Sequence, residues 1–267
     1  MKTINVILLV AIVFLINGCN GTKKNEDKAI NNTALSQEKF NPSDEGYDLA
    51  WEDNFDGTEL DTTKFKLRQI GPRRIGYNTS EAVSVSNGNL NLLYDIRGDS
   101  LHSSAIGSQG LFETRYGYFE CRAQLQKSDG PWAAFWLQSP EISQGEDPAK
   151  YGAEIDIFEY FKKYGQDTLT HAIHWAYGPN MVSVGPMKSG LKGLNEGYHT
   201  FALEWTPEKY SFFIDSLKYH EQTVGLSHID QYIILSMELP EKLEGIKRAF
   251  APDTFFVDYV KVYKKKK

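Results

Sequence analysis

Tyr116-Gly117-Tyr118-Phe119-Glu120-Cys121-Arg122-Ala123-Gln124-Leu125 alternates apolar or small side chains with polar ones along its length. In an extended chain successive side chains point to opposite faces, so this is the pattern of a strand with one face on a core. The same period returns in Ala82-Val83-Ser84-Val85-Ser86. There it runs into the turn signal Asn87-Gly88-Asn89 and then Leu90-Asn91-Leu92-Leu93, which together predict a hairpin. Further strand candidates cover 133–138, 153–160, 169–175, 199–205, 210–215, 232–237 and 254–263. No sustained helical period separates them, which argues against a parallel sheet with crossover helices. The expected fold is all-β, a two-sheet antiparallel sandwich of jelly-roll type.

The chain opens with Met1-Lys2-Thr3, an apolar run over residues 6–16, and Asn17-Gly18-Cys19. The run is shorter than the roughly 20 residues a spanning helix needs and reads as a signal peptide, residues 1–18. Leu15-Ile16-Asn17-Gly18-Cys19 resembles the bacterial lipobox, which implies cleavage after Gly18, acylation of Cys19 and membrane contact through that lipid. The expected address is a bacterial lipoprotein at the cell surface or outer membrane, the periplasmic face included. Residues 19–46 are polar and mixed in charge and read as a lipidated linker, leaving 47–267 as one folded domain. With Cys19 lipidated, Cys121 is the other cysteine of the pair, so no intramolecular disulfide is expected. The net charge of -6, with 15 Tyr and 5 Trp, argues against nucleic acid and suits a neutral, stackable partner.

The chemistry gathers in Glu154-Ile155-Asp156-Ile157-Phe158-Glu159. On a strand Glu154 and Asp156 share a face and Glu159 has the opposite parity. A one-residue bulge around Ile157-Phe158 brings all three together. Close carboxylates cannot all ionise comfortably, so one is held protonated. That is what retaining glycosidic cleavage uses: one carboxylate attacks the anomeric carbon, while a second, about 5 to 5.5 Å away, protonates the departing oxygen and later activates water. On a helix the same acids would be no more than a charged surface patch.

Gly152-Ala153-Glu154-Ile155-Asp156-Ile157-Phe158-Glu159-Tyr160 resembles the signature of glycoside hydrolase family 16, in the bulged form of laminarinases, mixed-linkage glucanases and agarases. Similarity extends to Leu49-Ala50-Trp51-Glu52-Asp53-Asn54-Phe55-Asp56-Gly57, to Gly130-Pro131-Trp132-Ala133-Ala134-Phe135-Trp136, to His199-Thr200-Phe201-Ala202-Leu203-Glu204-Trp205 and to Phe256-Val257-Asp258-Tyr259-Val260-Lys261-Val262-Tyr263. The resemblance implies a concanavalin A-like sandwich with a concave substrate cleft. It makes Glu154 the nucleophile, Glu159 the acid/base and Asp156 their assistant. It also implies sugar contacts from Trp132 beside the scissile bond and from His174 near the nucleophile. Trp136, Trp175, Trp205, Arg122, Asn78 and Glu238 are further candidates, Trp136 and Trp205 each with a core position as the alternative.

The chemistry needs no cofactor and no metal, and a structural calcium is left open. The expected partner is a polysaccharide or oligosaccharide, and the expected state is a monomer. The expected activity is retaining endo-hydrolysis of β-1,3 or mixed β-1,3/1,4 glucan. Two alternatives stand beside it: an endo-β-galactanase of agarase, porphyranase or keratan-cleaving type, and a non-catalytic surface glycan-binding protein. The absence of a Lys/Arg cluster across 132–180 favours a neutral glucan. Ala133 in place of proline, Tyr118 in place of arginine, and the loops 162–165 and 176–180 depart from the family pattern and leave the glycan open.

Overall fold

The computed structural model describes residue 30, residues 33–246 and residues 248–266; the expected signal peptide and Cys19 lie outside the described residues. Two antiparallel sheets pack face to face. The first runs Val182–Gly190, Thr168–Trp175, Glu154–Glu159, Trp132–Gln138, Gln231–Glu238 and Ser100–Gly107, in that spatial order. The second runs Leu217–Gln222, Tyr210–Ile214, His199–Trp205, Gly117–Gln124 and the long strand Asp253–Lys265. The free side of that long strand is shared: its first part pairs with Asn89–Arg97 and its last part with Tyr47–Asp53. Among the described residues the one α-helix is the short turn Pro148–Tyr151.

Alternation in the sequence maps directly onto these two layers. In Gly117–Gln124, Phe119, Cys121 and Ala123 enter the core between the sheets. The hairpin read from Asn87-Gly88 is present, joining Val83–Ser86 to Asn89–Arg97. Both turn residues have positive φ, 53° and 69°, as the tight hairpin turn that follows strand twist requires. The chain then changes sheets through the pairing of Asn89–Arg97 with Ser100–Gly107.

Tyr118 points away from that core yet is fully buried. Its cover comes from upstream. Phe40 stacks on Tyr118 at 4.8 Å and lies 5.0 Å from Phe213, and the Phe40 amide donates to the Ser216 carbonyl at 2.9 Å. The end of the expected linker is therefore laid against the outer face of the second sheet.

The strand Glu154–Glu159 owes its shape to one extra residue. Against Trp132–Gln138, Phe158 faces Phe135 and Asp156 faces Trp136, which leaves Ile157 unmatched. The bulge sends two consecutive side chains, Ile157 and Phe158, into the core with Ile155. Such an insertion orphans backbone groups, and buried ones must be paired. Here His171 Nδ1 lies 2.6 Å from the Ile157 carbonyl and Nε2 lies 2.8 Å from Ser189 Oγ. A carbonyl can only accept, so Nδ1 carries the proton and Nε2 accepts from the serine. Burial, with His220 nearby, pushes the His171 pKa down to about 3, which keeps the ring in that neutral form.

Both ends of the strand are clamped by buried glutamines. Gln231 Nε2 donates to the Ala153 carbonyl at 2.8 Å, and Gln126 Nε2 donates to the carbonyls of Pro131 and Tyr160, each at 2.9 Å. Just ahead, Gly152 turns the chain at φ 78°, where a Cβ would come within 2.2 Å of Ser139 Cβ. Phe158 anchors the bulge from below, its ring centroid 4.3 Å from that of Phe201 and 5.9 Å from that of Phe255. Phe158→Ala should therefore cost about 3 to 5 kcal/mol in urea-induced unfolding; a loss below about 1 kcal/mol would show that the bulge does not depend on this contact.

Candidate active site

With the bulge in place, the outer face of the first sheet carries a grid of side chains. Glu238, Ser236, Ile234 and Tyr232 form one row, and Trp132, Ala134, Trp136 and Gln138 stand opposite them. Glu159, Asp156 and Glu154 come next, opposite Ala134, Trp136 and Gln138, followed by Thr170, Ala172 and His174. The three acids thus share one cleft, which is also lined by Trp132, Trp136, Glu238 and Arg68.

Each acid has its own set of partners. Glu154 Oε2 accepts from Gln138 Nε2 at 2.9 Å and from the Tyr177 hydroxyl. Gln138 is itself oriented, because its Oε1 accepts from Arg68 at 3.0 Å and from the Tyr232 hydroxyl at 2.6 Å. Glu159 Oε1 accepts from the Trp132 indole at 3.1 Å. Asp156 Oδ2 lies 3.2 Å from His174 Nε2, and His174 Nδ1 lies 2.7 Å from Ser183 Oγ. Burial opposes charge on His174, but the bond to Asp156 and the negative charges of Asp156 and Glu154 outweigh it and raise its pKa.

The two glutamates are displaced upward to different extents. Burial, then the charge of Asp156, lifts Glu154 to about 7, against the lowering effect of the Tyr177 bond. Glu159 is lifted well above the ordinary range by burial and by the charges of Asp156 and Glu154, with Glu238 adding to them. Near neutrality one carboxylate can thus ionise while its neighbour keeps a proton, the division of labour that acid-assisted displacement needs.

The sugar-facing candidates divide. Trp132, Trp136, His174 and Glu238 lie at the site. Trp136 belongs to the cleft and not to the main core, its indole donating to Ser236 Oγ at 3.1 Å. Glu238 Oε2 takes Arg73 at 2.9 Å and Arg74 at 3.1 Å, while its buried Oε1 has no partner. Trp175 is placed elsewhere: as the neighbour of His174 it has the opposite parity and packs on the core beside Gly225. Trp205 is likewise in the core, fully buried, its indole donating to the Ser227 carbonyl at 3.2 Å. Arg122 sits on the far sheet, pairing with Asp258 and lying 4.7 Å above the Tyr198 ring. Asn78 is buried under the cleft, where its Nδ2 donates to the Arg68 carbonyl at 3.3 Å and its Oδ1 accepts from Ser103 Oγ at 2.7 Å.

Sequence reasoning missed Gln138, Tyr177, Arg68, Arg73 and Arg74. Gln138 could have been found, since it continues the parity of Trp132 and Trp136. The arginines arrive from a loop far away in sequence, outside the window 132–180. As for a metal, ligand atoms of Glu154, Asp156 and His174 lie within 4.8 Å of one another, a grouping that could hold an ion. Its imidazole nitrogen does not suit calcium, which takes six to eight oxygens.

The sequence pattern of glycosyl hydrolases family 16 matches residues 72–240. The chain belongs to this family. Among its relatives, a beta-glucanase of Rhodothermus marinus is 24% identical over 82% of this chain and 85% of its own length. A glucan endo-1,3-beta-glucosidase of Cryptopygus antarcticus is 26% identical over 80% of this chain and 90% of its own. The crystal structure of SCLam, a non-specific endo-beta-1,3(4)-glucanase of family 16, superposes with a TM-score of 0.71 at 25% identity, covering 88% of this chain and 97% of that one.

A pH-dependent stability follows for the family 16 site. A carboxyl whose folded pKa is raised stabilises the fold below its unfolded pKa, near 4.5, and that contribution is lost as pH rises through the folded value, here about 7. Glu154→Gln mimics the protonated acid. Its unfolding free energy should nearly match the parent's at pH 4.5 and exceed it at pH 8, by on the order of 3 kcal/mol at most. A gap that is constant with pH would contradict the raised Glu154.

Proposed function

We propose that this family 16 protein is a retaining endo-glucanase that cuts internal β-1,3 or β-1,3/1,4 linkages by double displacement. The observation that carries the reading is the bulge at Ile157, which sets Glu154 and Glu159 on one face with Asp156 between them and with unequal proton affinities. The glucanase names of the relatives and the aromatic floor of Trp132 and Trp136 support the choice of substrate. The cleft also continues past both of its ends. Arg68 and Gln69 line a hollow on one side, and Arg74 and Trp132 line a hollow on another, so a long chain can lie across the site.

In the first step an oxygen of Glu154 attacks the anomeric carbon and the bond to the leaving oxygen breaks. The Glu159 proton passes to that oxygen, leaving Glu159 ionised and the sugar esterified to Glu154. In the second step Glu159 takes a proton from water, whose oxygen attacks the same carbon and releases Glu154. Two displacements restore the starting configuration. Asp156, bonded to His174, tunes Glu154 as its charge is spent and regained. Glu238, held by Arg73 and Arg74, and the Trp132 indole lie in the same cleft as Glu159 and would border the sugar there. A single domain of this kind acts as a monomer, and lipid on Cys19 would hold it at the bacterial surface or outer membrane.

Glu159→Gln should lower kcat on laminarin or lichenan by about 10² to 10⁴-fold, and Glu154→Gln should remove turnover. The parent's kcat/KM should rise with pH as Glu154 loses its proton and fall at higher pH as Glu159 does. NMR of the first product should show the β anomer; an α anomer would overturn retention, and cleavage of galactans without glucans would overturn the substrate. In cells, Cys19→Ala should move the protein from the membrane fraction to the soluble one, and unchanged membrane association would sink the lipid anchor.

A further inference from the structure

Most cations around the cleft are spent. Arg73 and Arg74 converge on Glu238, and Arg74 also reaches Glu241. Arg68 differs. Its hydrogen bond goes to the neutral amide of Gln138, and its guanidinium lies 4.9 Å from the Trp136 ring centroid. It lines the catalytic cleft on one side and a second hollow on the other, together with Gln69.

That second hollow also presents Lys66, Gln109 and Tyr232, and no carboxylate lines it. Lys66 has no ion-pair partner among the described residues. The neighbouring acid Glu113 uses its Oε1 to accept from the Gly110 amide at 2.8 Å. Lys66, Arg68, which has no carboxylate within hydrogen-bond reach among the described residues although its charge also helps to lower the Glu154 pKa, and two amides thus border a space that opens into the catalytic cleft, in a protein whose net charge is -6. Hydroxyl groups of a neutral glucan can be bound by amides and aromatic faces and need no such charge. A guanidinium fork backed by an ammonium matches an oxyanion, which accepts several charge-assisted hydrogen bonds at once.

We propose that the hollow beyond Arg68 is a subsite for an anionic group carried by the glycan, a sulfate ester or a carboxylate, on a sugar near the bond that is cut. The inference rests on the endo-glycosidase reading of the neighbouring cleft and narrows it, since chains bearing an acidic substituent become the preferred substrates. Asn78 takes part indirectly by holding the Arg68 backbone carbonyl.

The test compares a β-1,3-glucan with its lightly sulfated and lightly carboxymethylated derivatives, using the full-length protein and Lys66→Glu. Lys66 is exposed, and a melting curve checks that the variant folds. The parent protein should cleave at least one derivative with a kcat/KM about tenfold above the neutral chain, and the charge reversal should remove that advantage. Added salt should shrink it. The better of the two derivatives identifies the oxyanion. Affinity electrophoresis of the same polymers with Glu154→Gln reads the charge preference without turnover. If no glucan is cut, the glucanase reading fails while this binding measurement still decides the subsite. Equal or weaker retention of both charged polymers, or a preference that survives Lys66→Glu, would overturn the proposal.

Discussion

The hydrogen bond from His171 to the Ile157 carbonyl is the constraint on which the site depends. A regular strand would carry Glu154 and Asp156 on one face and deliver Glu159 to the core. One inserted residue corrects the parity, but it leaves a backbone carbonyl without a ladder partner inside a closely packed sandwich. A buried neutral imidazole supplies the missing donor, its tautomer fixed by Ser189 on the other side. Phe158 fills the space beneath, and Gln231 and Gln126 fix the ends. None of these residues touches the cleft, yet together they determine which way Glu159 points.

On the cleft side the same strand concentrates acids where water is scarce. Burial raises the cost of each charge, and mutual repulsion raises it further, so the native fold carries carboxyls that resist ionising. The surrounding donors are unequal: Glu154 receives two hydrogen bonds and Glu159 one, which separates their affinities for a proton. The arrangement is unfavourable for stability at alkaline pH and useful for chemistry near neutrality.

Much of this was legible in the sequence, for identifiable reasons. Period-two alternation gave the two-sheet architecture because each strand has one face on the core. The acids gave the bulge because their spacing is inconsistent with a shared face on a regular strand. Trp175 and Trp205 were harder, since an indole serves equally well in a core or a cleft; for Trp175 the parity of its neighbour His174 held the answer. Arg68, Arg73 and Arg74 carried no local signal at all. They reach the cleft from the segment around Gly71–Arg73, brought there by tertiary contacts, and they reverse the impression of an uncharged groove.

The packing of Phe40 on Tyr118 and Phe213 has a geometric corollary. The cleft lies on the outer face of one sheet, and this aromatic lies on the outer face of the other. Upstream of it the chain follows the rim of that second sheet, the Leu35 amide donating to the Lys218 carbonyl at 2.5 Å and Ala34 packing on the core, so the segment 34–40 stays clear of the face that carries the three acids.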